Sequence, residues 1–166
     1  MKQSGWRRGA VSSPHSSLLA VQRIVLAIGL PGSGKSTYLE RIGAHPLSSD
    51  AIRELLADDP TDQSIHPRVF ATIRYLLRHR LAIKRPLTYI DATNLSRKER
   101  RNWIKVAHEA GCAIEALYFD TPLEVCIARN RLRERRVPED VIREMAKRLT
   151  PPQLEEGFSR VEIVKP

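Results

Sequence analysis

Gly29-Leu30-Pro31-Gly32-Ser33-Gly34-Lys35-Ser36-Thr37 is the stretch that decides how the rest of the chain reads. Before it runs Arg23-Ile-Val-Leu-Ala-Ile28, a continuous apolar segment of the kind a strand shows when both faces are buried in a parallel sheet. After it, residues 35–42 carry a helical pattern. A glycine-rich turn between such a strand and such a helix, spaced GxxxxGK[ST], is the phosphate-cradling P-loop pattern. Gly29, Gly32 and Gly34 let the backbone curl until its N–H groups converge on phosphate oxygens, and the helix adds the positive end of its dipole. Leu30, Pro31, Ser33 and Thr37 belong to the same cradle. Lys35 supplies a point charge between the β- and γ-phosphates, and the Ser36 hydroxyl is the candidate Mg²⁺ ligand.

Working outward, short β-rich runs alternate with helical patterns. Residues 46–49 read as a second strand ending at Asp50, with Ile52, Leu55 and Leu56 marking a short helix. Residues 58–67 read as a loop, and Val69, Phe70, Ile73, Leu76, Leu77 and Leu81 recur at helical spacing. Residues 87–90 form a third strand ending at Asp91. Ser96 and Glu99 make a capping box, and Gly111 ends the helix that follows. Residues 113–119 form a fourth strand. Thr121, Pro122 and Glu124 repeat the helix-start signal and lead into an arginine cluster over 129–136. A last helix opens at Pro138 and stops at Pro151 and Pro152, and residues 161–164 form a fifth strand. This alternation predicts a three-layer α/β domain with a mainly parallel sheet.

Parallel α/β sheets bind ligands at the carboxyl ends of their strands. Asp50 is placed there, where a carboxylate can take the proton of an acceptor hydroxyl and align its oxygen, or merely cap a helix. Arg53, three residues on, can hold an anionic group of the acceptor, or lie solvated. Asp91 leaves the third strand at the same edge and can reach Mg²⁺ through water or orient Arg53. Thr93 and Asn94 can contact the acceptor or hold the loop, or serve only their own turn. Five arginines and one acid occupy 129–136, a candidate mobile lid in which Arg129 and Arg133 share a helix face and neutralise the transferring phosphoryl group. The alternatives are a solvated basic helix end or a nucleic-acid patch remote from the site.

The bulk numbers agree with a nucleotide-handling domain. The chain has 166 residues and a formal net charge of +9, with a pI near 10.1, which favours a polyanionic partner. The two cysteines, Cys112 and Cys126, show no metal spacing and suit small apolar packing in a reducing, cytoplasmic setting. No apolar run is long enough to span a bilayer, so no membrane is expected as a partner. Residues 1–22 stand apart as a basic extension, disordered, transit-like or an over-extended start, leaving 23–166 as the domain.

Together GLPGSGKST, SSD with Arg53, IDATNLSRKER, RNRLRERRVPEDVI and PPQLEEGF resemble the kinase module of polynucleotide 5′-kinases and the AAA-type ATP-binding kinases of similar length, over residues 23–164. The resemblance implies ATP and Mg²⁺ bound by Lys35 and Ser36 and a general base at Asp50. It also implies an acceptor-phosphate contact at Arg53, support from Asp91, a phosphate clamp from Arg129 and Arg133, and sheet order 2-3-1-4-5. The expected reaction moves the γ-phosphate of ATP to a 5′-hydroxyl end of RNA or DNA. A kinase of a small-molecule alcohol and a catalytically weak ATP- or RNA-binding module remain as alternatives.

Overall fold

A computed structural model describes residues 22–165. The inferred extension over residues 1–22 lies outside these, except for Gln22. That residue is tied into the fold: its side-chain amide donates to the carbonyls of Leu81 and Arg85, and its own carbonyl accepts from the Ala113 amide.

The first strand, β1 (Arg23–Ile28), is the middle of a five-stranded sheet. Its neighbours are β3 (Leu87–Asp91) and β4 (Ala113–Phe119), with β2 (Leu47–Ser48) and β5 (Arg160–Val164) at the edges. The order is β2-β3-β1-β4-β5 and every pairing is parallel, as the resemblance implied. Alternate residues of β1 feed two cores, which is why its sequence is apolar without a break. Ile24, Leu26 and Ile28 pack towards α3 (His66–Ala82) and α4 (Arg97–Glu109), against Ile73, Leu77, Trp103 and Val106. Val25 and Ala27 face α1 (Lys35–Arg41), with Leu39, Leu117 and Phe119.

Register brings three strand ends to one edge: Asp91 pairs across with Ala27 of β1 and with Ser48 of β2. There α2 (Ser49–Ala57) begins. Its cap is the Ser48 side chain, which accepts from the Ala51 amide, so Asp50 lies in the first turn and is not the capping residue. The helix forms, yet of its three apolar markers only Ile52 is buried; Leu55 and Leu56 are exposed.

The capping box of α4 is present as read, and Gly111 follows it at φ 63. The parallel reading for α5 (Leu123–Arg131) is corrected. Pro122 is its N-cap, with no side-chain cap bond, and the Thr121 hydroxyl donates instead to the Ser33 carbonyl in the P-loop. That helix ends at Arg131, so Arg129 and Arg133 do not share a helix face; Arg133 lies in the segment leading to α6 (Glu139–Arg148). After α6 a 3-10 turn over Leu154–Glu156, not foreseen from sequence, leads into β5.

Candidate active site

The loop after β1 folds as a curl. Gly32 adopts φ 81 and packs so close to α5 that a Cβ there would sit 2.3 Å from the Cys126 carbonyl oxygen. Only glycine meets both conditions. The Gly29 amide is pinned to the Thr93 carbonyl at 3.1 Å, which joins the curl to the loop after β3. Gly34, at φ 99, stands immediately before α1, so the first amides of that helix open at the curl.

Lys35 is buried, and its ammonium donates to the carbonyls of Gly29 and Leu30, each at 2.9 Å. Burial lowers its pKa from the usual lysine value; Asp91, Cys126 and Asp50 act in the opposite direction and Arg133 reinforces the lowering. These charged groups therefore lie within electrostatic reach of the ammonium. Ser36, next in sequence, is exposed, and its hydroxyl donates to Asp91 Oδ2 at 2.7 Å. A rim hydroxyl held by a buried carboxylate is an oxygen-donor pair that would suit Mg²⁺. Of the two roles open to Asp91, this contact favours the metal side, and no hydrogen bond joins it to Arg53 among the described residues.

Across the crevice, Asp50 stands half exposed on the first turn of α2. Arg53 is almost wholly buried, so the reading of it as a solvated side chain falls; Nη1 donates to Asp50 Oδ1 at 3.1 Å and reaches the Pro60 carbonyl at 3.5 Å. Arg135, not singled out from sequence, lies 3.3 Å from Asp50 Oδ2 and also donates to the Pro60 carbonyl. Arg129 lies above Gly34, its Nη1 3.8 Å from where a Cβ would stand, and it acts with Lys35 to lower the Cys126 thiol, which burial otherwise raises.

Two buried side chains hold loops that flank the site. Asn94, a candidate for the acceptor, has its amide spent inside the fold: Nδ2 donates to the carbonyls of Ala27 and Ala92, and Oδ1 accepts from the Trp103 indole. It sits at φ 49, holding the loop that carries Asp91 and Thr93. Of the readings open to it, these bonds favour holding the loop, since a buried amide bonded at both ends is spent within the fold. Asn130 is buried and grips Val137 twice, Nδ2 to its carbonyl at 2.8 Å and Oδ1 from its amide at 3.0 Å. It closes the neck of the arginine-rich segment, which leaves α5 at Arg131 and returns at Val137. The signal was an asparagine near the end of a helix, too common to be read alone.

No helix among the described residues is long and apolar enough to cross a membrane, and no cluster of His, Cys, Asp and Glu there resembles a transition-metal site.

Likeness to known proteins agrees with this geometry. The sequence model of a family described as AAA domain matches residues 24–152. The chain is 25% identical over 138 residues to L-seryl-tRNA(Sec) kinase of Methanococcus maripaludis, covering 78% of this chain and 53% of that protein. It is 27% identical over 148 residues to the bifunctional polynucleotide phosphatase/kinase of Schizosaccharomyces pombe, covering 86% of this chain and 33% of that one. It thus spans well under two thirds of either relative. In fold it is similar to the crystal structure of a sugar kinase from Janibacter sp., with TM-score 0.61 at 21% identity, covering 87% of this chain and 85% of the other.

Proposed function

This chain belongs to the AAA domain family, and from that premise we propose that it moves the γ-phosphoryl group of ATP to the 5′-hydroxyl of a polynucleotide. The observation that carries the reading is the pairing of two half-sites across one crevice. On one side stand the curl, Lys35 and the Ser36–Asp91 pair; on the other stands a half-exposed carboxylate, Asp50. A nucleotide-binding module without transfer needs only the first half.

Each residue then has a task. The curl's amides and Lys35 bind the triphosphate, the ammonium exchanging its two carbonyl partners for phosphate oxygens. Ser36 and Asp91 would hold Mg²⁺, which when bound would offset charge on the triphosphate. Asp50 orients the acceptor hydroxyl and accepts its proton as the oxygen attacks phosphorus in line with the departing ADP. Arg129 and Arg133 neutralise the transferring group from the lid side. A polynucleotide is favoured over a free metabolite by two lines of support. The two sequence relatives are named for an aminoacyl-tRNA and for a polynucleotide, and the net charge of +9 suits a polyanion.

The test is transfer from γ-labelled ATP with Mg²⁺ to a panel of 5′-hydroxyl oligonucleotides, sugars and other small alcohols. Label on the oligonucleotides supports the reading. Label confined to a small alcohol replaces the acceptor, and no label with intact ATP binding leaves a binding module.

A further inference from the structure

We propose that Arg135 sets acceptor specificity: it holds Asp50 until a phosphate beside the acceptor hydroxyl draws it away. This rests on the reading of the site as an ATP-dependent transferase.

The carboxylate proposed as base has both oxygens occupied. Oδ1 accepts from Arg53 Nη1 at 3.1 Å, and Oδ2 lies 3.3 Å from Arg135 Nη1. Each oxygen thus has one cationic partner, and an acceptor hydroxyl approaching from the Arg135 side has to displace that partner to reach Oδ2. Of the two partners, only one can give way. Arg53 is fixed: its side chain is 4% exposed and it sits within α2. Arg135 can move. Its side chain is 31% exposed, and it belongs to the segment between α5 and α6, which has no regular structure and whose neck is pinned by Asn130. Its remaining contact, the Pro60 carbonyl, is shared with Arg53.

Two guanidiniums share the Asp50 carboxylate, with Asp59 acting on Arg135 from further off, and Arg53 Nε is buried with no hydrogen-bond partner. A buried donor left unmade is costly, and a guanidinium fork matches phosphate in two parallel bonds. A second anion arriving beside Asp50 therefore offers Arg135 a better partner and frees Oδ2 in the same movement. A neutral alcohol offers no such exchange and leaves the base clasped. The site on this account selects hydroxyls flanked by a phosphate, as the 5′-hydroxyl of a nucleic acid is, over hydroxyls of uncharged metabolites.

The test measures equilibrium binding of two probes in the presence of Mg²⁺ and a non-hydrolysable ATP analogue. One probe is a 3′-phosphorylated nucleoside with a free 5′-hydroxyl; the other is the same nucleoside without phosphate. Arg135→Ala should weaken the phosphorylated probe about tenfold or more, the loss of a charge-assisted bond, and leave the plain nucleoside and the ATP analogue unchanged. Asp50→Asn removes the competing charge and should tighten the phosphorylated probe several-fold; adding Arg135→Ala should cancel that gain. Unchanged affinity for the ATP analogue certifies the fold of each variant. Equal losses on both probes, a loss on the ATP analogue, or an Asp50→Asn variant with no gain would each overturn the assignment. If the wild type labels oligonucleotides yet shows none of these differences, Arg135 alone is misassigned. If it binds the ATP analogue and neither probe, the polynucleotide reading falls as well.

Discussion

Lys35 carries its charge in a place that penalises it. Burial lowers its pKa below the usual 10.5, and the nearby acids recover only part of that. In the unliganded protein the folded state therefore holds the proton less tightly than the unfolded chain does, and stability tied to this residue rises as pH climbs from the folded pKa towards 10.5. A bound triphosphate reverses the preference by stabilising the ammonium. ATP affinity, followed by titration across alkaline pH, should fall as pH rises through the depressed pKa. Lys35→Arg, which stays charged, should flatten that profile, whereas Lys35→Ala should abolish transfer. Asp50→Asn should lower kcat by about 10²–10⁴-fold, the usual contribution of a general base, and leave ATP affinity intact; a collapse of ATP affinity would move Asp50 to the metal side. Residue types at this scale were legible because the loop's chemistry is local, with Lys35 and Ser36 fixed by spacing from the glycines. Asn94 was not. Its polar side chain left both a ligand and a strut open, and the tertiary position of Ala27, 67 positions earlier, together with Trp103 on α4, favours the strut.

Among the elements, helix starts divide by the reach of the bonds that make them. The box at the head of α4 closes within three residues, so the sequence reveals it. Thr121 has the same local pattern, but its hydroxyl is committed to a carbonyl 88 positions earlier, and no short-range reading anticipates that. The bond has a purpose: with the Gly32–Cys126 approach it presses the start of α5 onto the P-loop. Gly32→Ala must displace the Cys126 carbonyl or deform the curl, and it also forces alanine to φ 81. It should cost stability by about 1–3 kcal/mol, read from denaturant midpoints, and weaken ATP binding more than Gly43→Ala does. Gly43 has a similar φ, 67, but open space around it, so the comparison separates backbone strain from the clash.

For the molecule as a whole, the alternation of patterns gave a parallel α/β domain, while the strand order came from the family resemblance, since hydrophobic runs do not state which strand lies beside which. Charge is distributed widely. Besides the arginine-rich segment, Arg74, Arg78, Arg101 and Lys105 lie on the neighbouring helices α3 and α4, and only Lys105 of these makes an ion pair among the described residues. If the acceptor is a polynucleotide, its KM should rise steeply, by about 10-fold or more, between about 50 and 200 mM salt, through counterion uptake at released phosphates. A nucleoside acceptor should show little of this dependence, and equal salt curves for the two would argue for a small-molecule site. One last feature crosses the same distances. Arg100 is fully buried in α4 and spends its guanidinium on the carbonyls of Asn94, Leu95 and Thr150 and on both oxygens of Glu156. It fastens the turn bearing Asp91 to the far end of the polypeptide, and removing one partner of such an enclosed pair costs about 3–5 kcal/mol. Two fragments divided inside the arginine-rich segment would each keep one side of that clasp, together with one strand of the β4–β5 pairing. Mixed, they should reassemble without a covalent link and recover nucleotide binding, while the severed segment keeps phosphoryl transfer from returning.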